Sequence, residues 1–341
     1  MNRSWLDSAP RVPLAHVPTP LVPLDRLSQA LGGPRVWLKR DDCTGLATGG
    51  NKTRKLEYLL ADAQAAGADT IVTFGAVQSN HARQTAAACA AVGLPCHLIL
   101  TRRVRWSHPL YESSGNVLLD RLLGATLHLV TPDAASAAAR ELTGRLEAEG
   151  RRPYVIPTGG SDPVGALGYA RCALELLEQS RERGFTLTDV MHATASAGTQ
   201  SGLVAGFAAL CGDGSLPRPR VHGIDVYNQT PERLNEAVLT ISREALRRRG
   251  ASGDIEPADV RVDNRYVGED YGIPTEGTLE AIRLLGSTEG VLMDPCYSGK
   301  GFSGLIDRVR RGEFAHTEDL VFIHTGGVAA LAVYDNAFAT D

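Results

Sequence analysis

The feature that most constrains how this chain folds is a regular alternation, from residue 70 to residue 249, of short apolar runs with longer segments whose apolar residues recur every three or four positions. The short runs 70–74, 96–100, 126–130, 154–157, 189–193 and 221–226 read as strands. The longer ones, 79–92, 116–123, 134–149, 164–183, 200–210 and 231–249, read as helices. Strands that are apolar throughout are buried on both faces, and two parallel strands must be joined by a crossover long enough to hold a helix. The pattern predicts an α/β fold of open parallel sheets with helices on both faces, and excludes a helical bundle or an antiparallel sandwich.

The ends of the chain extend this reading. Prolines at 10, 13, 18, 20 and 23 make the first segment an extended arm. A helix over 24–31 stops at Gly32-Gly33, a strand covers 35–40, and 41–50 is a loop. Leu56, Leu59, Leu60 and Ala63 then recur at helical spacing, with Asn51 as the N-cap and Gly67 as the stop. Beyond 249 come an irregular stretch, a helix over 276–288, the segment 291–301, a helix from 304 and a strand over 320–323. The length, 341 residues at 43% hydrophobic, allows two domains or one large unit.

Charge and cysteine content narrow the function classes. The net charge is -4 and no lysine/arginine cluster is interleaved with aromatic residues, which argues against a nucleic-acid surface. Six scattered cysteines without a C-x-x-C fit a reducing compartment. With neither a signal-like opening nor an apolar run of membrane-spanning length, a cytoplasmic enzyme with no membrane partner is expected.

In parallel sheets ligands bind at the carboxyl ends of the strands. Here the loops 41–52, 75–83, 194–202 and 325–327 hold most of the glycine-rich polar sequence, so they are expected to meet at one crevice. The first carries Gly49-Gly50-Asn51-Lys52, and lysine is scarce: Lys39, Lys52, Lys55 and Lys300 are the only ones. Arginine carries charge but cannot form an imine, so a lysine at a loop-to-helix join is a candidate for amine chemistry, although codon bias accounts for the scarcity equally well. Asn51 separates Gly50 from Lys52, which rules out a nucleotide P-loop. No G-x-G-x-x-G follows a predicted strand, and no histidine pattern suggests a metal, so none is expected. The small residues of 194–202 suit either a bare tight turn or a phosphate held at a helix N-terminus. Taken together, a candidate imine lysine and a phosphate loop suggest pyridoxal 5'-phosphate.

Several motifs then carry a resemblance in order along nearly the whole chain. They are Arg40-Asp41-Asp42, Gly49 through Glu57, Gln78-Ser79-Asn80-His81-Ala82-Arg83-Gln84, Tyr271-Gly272-Ile273-Pro274, Asp294 through Lys300, and His324-Thr325-Gly326-Gly327. The chain resembles the 1-aminocyclopropane-1-carboxylate deaminase/D-cysteine desulfhydrase family of fold type II pyridoxal phosphate enzymes, which also includes L-cysteate sulfo-lyase.

The resemblance implies a tryptophan synthase β-like fold, with a large cofactor domain (1–53 and 162–341), a small domain (54–161) and a homodimer. It places Lys52 at the Schiff-base lysine, Asn80 at the ring hydroxyl, and Gln78 and Ser79 at the carboxylate of a small amino-acid substrate. Ser196, Ala197, Gly198 and Thr199 fall on the phosphate loop, though Ala195 stands where glycine is expected, and Tyr271 and Tyr297 match two active-site tyrosines. Gln78 and Asn80 have a plainer reading as helix caps, and either tyrosine as core.

One departure separates the branches. The ring-opening deaminases carry glutamate at the position of Ser298, opposite the pyridine nitrogen. Here Ser298 lies beside the substrate, and Thr325 is placed to meet that nitrogen. A hydroxyl holds the ring nitrogen protonated less well than a carboxylate, which suits loss of a good β-leaving group better than ring opening. The expected reaction is β-elimination from D-cysteine or L-cysteate. Ring-opening deamination, β-replacement and non-catalytic binding are the alternatives. A sulfonate substrate would need a cation at its β-position, for which His81, Arg83 and the arginines of 102–105 are candidates.

Overall fold

A computed structural model describes residues 2–339; residues 1, 340 and 341, which the sequence-based domain ranges include, lie outside the described residues. Ten strands form: β1 (Leu21–Pro23), β2 (Arg35–Arg40), β3 (Thr70–Ala76), β4 (Cys96–Thr101), β5 (Thr126–Val130), β6 (Pro153–Ile156), β7 (Asp189–Thr194), β8 (Arg220–Asp225), β9 (Val260–Asp263) and β10 (Asp319–His324). They make a six-stranded sheet in the order β1-β2-β10-β7-β8-β9 and a four-stranded sheet in the order β5-β4-β3-β6. Every pairing is parallel except β1 with β2. The sequence reading lacks two strands. β1 is three residues long, ends in proline and lies inside the extended arm, while β9 is a four-residue edge in the irregular stretch.

Two-residue periodicity divides each strand between two cores. In β10, Val321 and Ile323 pack with the helices Pro163–Glu182, Gly198–Leu210 and Pro231–Arg249, while Leu320 and Phe322 face Leu24, Leu27, Ile282, Phe302 and Leu305 on the other side. In the smaller sheet Ile71, Leu98 and Leu100 pack on the helices Lys52–Ala65 and Asn80–Val92, while Val72 and Ile99 face Leu142 and Leu146. All strands of the smaller sheet fall within 54–161 and all of the larger within the two flanking stretches. We propose the divide at 53/54 and 161/162 on that basis; its first point lies in the opening turn of Lys52–Ala65.

Beneath that turn a buried ionic cluster ties the arm to the core through Thr19, whose hydroxyl accepts from Arg54 (2.9 Å) and donates to Asp41 (2.7 Å). The Arg54 guanidinium donates to both oxygens of Asp41 (2.8 and 2.9 Å) and both of Glu175 (2.8 and 2.8 Å), and the Lys39 ammonium reaches Glu175 at 2.8 Å. Two cations and two carboxylates balance, and both carboxylates are held below their ordinary range: burial, the largest effect, opposes ionisation, but the Arg54 charge and hydrogen bonds together with the Lys39 charge outweigh it.

The helix expected from Gly304 begins a turn and a half earlier, at Ser298. The Asp294 carboxylate accepts the N-H groups of Cys296, Tyr297 and Ser298 (3.0, 2.8 and 2.9 Å) and so organises a first turn of small and polar residues. The apolar stripe that periodicity detects starts only at Phe302.

Candidate active site

The carboxyl ends of β2, β3, β7 and β10 open onto one cavity of about 630 Å³. Its lining includes Asn51 and Lys52 after β2, Ser79, Asn80 and His81 after β3, residues 194–197 and Thr199 after β7, and Thr325 after β10. Tyr271 and Tyr297 complete one wall together with Tyr227. The four loops are braced against each other. Asn51 stands at the N-cap position of its helix as expected, but its side chain makes no capping bond; its amide donates to Thr199 Oγ1 (3.0 Å) and its N-H to the Thr325 carbonyl (3.1 Å). Gly50 and Gly326 both have positive φ, and a Cβ on Gly326 would lie 2.7 Å from the Gly50 Cα, so glycine lets the two backbones meet there.

Lys52 is the first residue of Lys52–Ala65, and of the four lysines it alone lines the cavity. Lys39 is held in the ionic cluster, and Lys300 is spent on the carbonyls of Val267 and Asp270 (2.5 and 2.8 Å). Burial lowers the Lys52 ammonium from 10.5 to about 8, with a hydrogen bond to Lys55 working the other way. Lys55, one turn on, is pushed well below its ordinary value by burial and by the Lys52 charge; its amine donates to the Gly159 carbonyl at 3.2 Å. Sequence alone gives Lys55 no role, because only the fold carries it beneath the loop after β7. A Cβ on Gly198 would lie 2.6 Å from Ser161 Oγ and 2.9 Å from Lys55 Nζ.

In that loop Ala197 takes a left-handed φ of 69°, and Gly198 starts the helix Gly198–Leu210. Ser196 Oγ lies 2.7 Å from Ser161 Oγ, and the buried Thr194 Oγ1 has no hydrogen-bond partner in the chain. A helix N-terminus, hydroxyls, a floor opened by glycine and the buried Lys55 amine, which an anion would favour in its charged form, make a set that fits a phosphate.

Across the cavity Ser79 caps the helix Asn80–Val92 by accepting from Ala82 N (3.1 Å), which leaves its hydroxyl hydrogen free to donate. Asn80 lines the cavity and accepts from Asn116 Nδ2 (3.1 Å); neither it nor Gln78 is the cap. Gln78 is outside the lining. Its amide donates to the carbonyls of Tyr111 and Ser114 (2.6 and 2.9 Å) and its oxygen accepts from Asn116 N (2.9 Å). Ser298 is also behind the wall, donating to the Gly326 carbonyl (2.7 Å) and lying 3.3 Å from Thr325 Oγ1. The hydroxyls of Tyr271 and Tyr297 touch each other, and burial raises both, so each stays protonated at neutral pH.

Among the described residues no aspartate or glutamate lines the cavity, no cluster of three metal-ligating side chains forms, and no helix is long and apolar enough to cross a membrane.

A lysine amine, a phosphate cradle and a tyrosine wall at the carboxyl ends of parallel strands agree with a family match. The model of the family described as pyridoxal-phosphate dependent enzyme covers residues 12–326. The chain belongs to the pyridoxal-phosphate dependent enzymes.

Within that family it is 45% identical over 339 residues to the 1-aminocyclopropane-1-carboxylate deaminase of Burkholderia vietnamiensis, spanning 98% of both chains. It is 45% identical over 341 residues to that of Burkholderia multivorans, spanning 98% of this chain and 99% of the other. A crystal structure described as an ACC deaminase homologue superposes with a TM-score of 0.86 at 36% identity, over 98% of this chain and 97% of that one. The crystal structure of a threonine deaminase from T.th. shares the fold, at a TM-score of 0.61 and 22% identity over 91% of this chain and 92% of the other. The protein is thus a fold type II, pyridoxal phosphate-dependent enzyme of a lyase family.

Proposed function

We propose that this enzyme catalyses β-elimination from a cysteine-like amino acid, D-cysteine or L-cysteate, giving pyruvate, ammonia and sulfide or sulfite. The observation that carries the reading is the pair of hydroxyls at Ser298 and Thr325, where a carboxylate would favour ring opening. The nearby carboxylate, Asp294, does not line the cavity and is engaged by three backbone N-H groups.

In this reading Ser196, Ala197, Gly198 and Thr199 hold the cofactor phosphate with Lys55 beneath them, Asn80 meets the ring hydroxyl and Thr325 the ring nitrogen. Pyridoxal phosphate, when bound, supplies an electron sink for the negative charge that develops at Cα. Lys52 Nζ takes the α-proton; an amine brought down to about 8 is a base of suitable strength near neutral pH. Ser79 donates to the substrate carboxylate at the start of Asn80–Val92, where the helix dipole favours an anion. Gln78 acts one step back, fixing the segment 111–116 that borders Asn80. Tyr271 and Tyr297 orient the substrate or give a proton to the leaving group. Five of the six cysteines are buried and none is paired, which supports a cytoplasmic enzyme. The family resemblance supports a homodimer.

A second reading, ring-opening deamination, is supported by the names and 45% identity of the Burkholderia relatives. The two separate on a panel of D-cysteine, L-cysteine, L-cysteate, 3-chloroalanine and 1-aminocyclopropane-1-carboxylate, with pyruvate, 2-oxobutyrate, sulfide and sulfite assayed individually. Pyruvate from a cysteine-like substrate supports elimination. Keto acid from none of them sinks both readings.

A further inference from the structure

We infer that the substrate carries an anionic sulfonate on its β-carbon, and that Arg103 is the side chain that recognises it; this rests on the β-elimination reading above. The structure ranks the available cations. Arg102 is exposed and paired through two bonds with Glu112 (2.7 and 3.0 Å), and Arg105 is exposed and outside the cavity lining. Arg83 is buried but fully used, donating to Asn116 Oδ1 (2.7 Å), Thr48 Oγ1 (2.6 Å) and the carbonyls of Ala47 and Gly49. His81 is neutral, held far below its ordinary value by burial and by the charges of Lys52 and Lys55.

Arg103 alone among these arginines lines the cavity. Its guanidinium carbon lies 4.7 Å from the centre of the Tyr227 ring and 5.9 Å from that of Tyr271, so it stands on the tyrosine wall. Its Nε is buried and has no hydrogen-bond partner in the chain. Its ion pair with Asp270 is long, 3.7 Å from Nη2 to Oδ1, and that oxygen already accepts from Tyr271 N at 2.7 Å. Arg103 therefore keeps N-H donors for a ligand.

Among the described residues no carboxylate lines the cavity, and the acid paired with Arg103, Asp270, stands outside the lining. Three other groups already have tasks: Lys52 at Cα, Ser79 at the substrate carboxylate, and Lys55 beneath the phosphate loop. A thiol or a ring methylene beside Arg103 would leave a desolvated N-H unmet, whereas the three oxygens of a sulfonate match a planar fork of donors. The same cation stabilises the charge that grows on the leaving group. In the step assigned here the Cα-H bond breaks with the proton passing to Lys52 Nζ. The Cβ-S bond breaks with its electron pair leaving on sulfur as sulfite. Addition of one water then gives pyruvate and ammonia, with no oxidant or reductant consumed.

The test compares holoenzymes of the wild type, R103Q and R103K. The measured quantity is the ratio of kcat/KM for L-cysteate, followed by sulfite release, to kcat/KM for 3-chloroalanine, followed by pyruvate. R103Q is expected to lower this ratio about 30-fold or more, and R103K, which keeps the charge but loses the fork, to restore part of it. Binding of 3-sulfopropanoate, which lacks the amine, is expected to weaken at least about 10-fold in R103Q by calorimetry. A role confined to packing the tyrosine wall would lower both rates together and leave the ratio unchanged, which overturns the inference. Pyruvate from 3-chloroalanine or cysteine but not from L-cysteate in the wild type also overturns it, with the elimination reading intact. If the wild type makes pyruvate from none of these substrates, the elimination reading fails. The 3-sulfopropanoate comparison then decides alone: equal binding in wild type and R103Q overturns the anion site, and weakened binding upholds it.

Discussion

Lys52 differs from the other three lysines in what surrounds its amine. The Lys39 ammonium has a carboxylate, Lys300 has two carbonyls and Lys55 has the Gly159 carbonyl, while Lys52 faces the cavity with its charge opposed by burial. An amine must be neutral to attack an aldehyde, and this one is half neutral at about 8 instead of 10.5. Uptake of pyridoxal phosphate by the cofactor-free protein, followed by absorbance, is therefore expected to accelerate with rising pH and reach its half-point near pH 8; a half-point above pH 10 contradicts this. Asp120 gives a separate pH signature. It is buried with neither oxygen hydrogen-bonded, and burial raises it from 3.8 to about 7, partly offset by Arg83. Its folded-state value lies above its unfolded one, so its stabilising share is complete below about pH 4 and is lost as pH rises through about 7. D120N lacks that loss, so between about pH 5 and about pH 8 it is expected to gain about 2–3 kcal/mol relative to wild type in denaturant titrations. A gap that does not change with pH contradicts the burial account.

At the scale of the elements, much of the architecture was legible because apolar periodicity is a local property. The six strands and six helices between 70 and 249 appear close to where the spacing puts them. What escaped depends on partners distant in sequence. β9 is a strand only because β8 lies beside it, and the helix from Ser298 starts early because Asp294 holds the N-H groups of Cys296, Tyr297 and Ser298 that lead into it. The phosphate loop was legible as small residues between strand and helix, but the reason for glycine at 198 was not, since Ser161 and Lys55 arrive from other elements. Gly198→Ala brings a methyl to within 3 Å of both. It is expected to weaken cofactor affinity at least about 10-fold, measured by equilibrium dialysis, while circular dichroism shows the fold retained. Unchanged affinity would remove this loop from the phosphate site.

For the whole molecule, the buried cluster of Arg54, Asp41, Glu175 and Lys39 joins the helix that begins with Lys52 to the helix Pro163–Glu182 and, through Thr19, to the opening arm. Arg54→Met leaves the buried Asp41 without its cation and Glu175 with Lys39 alone, and is expected to cost about 3–5 kcal/mol in chemical denaturation. A loss below about 1 kcal/mol would mean that water reaches the cluster. The motif Gly49 through Glu57 thus combines two roles that the sequence alone does not separate, Lys52 for chemistry and Arg54 for holding the helix in place. The site residues read by resemblance divide in the same way. Lys52, Ser79, Asn80, Tyr271, Tyr297, Thr325 and the phosphate loop meet at one cavity, whereas the side chains of Gln78 and Ser298 face loops that no spacing rule brings together. On the proposed reading, hydroxyls at Ser298 and Thr325 direct the cofactor's chemistry to elimination. The most direct measurement gives the wild-type holoenzyme L-cysteate and 1-aminocyclopropane-1-carboxylate together at equal concentration and determines which keto acid accumulates. Pyruvate with an equal amount of sulfite is the predicted result; 2-oxobutyrate as the main product contradicts it.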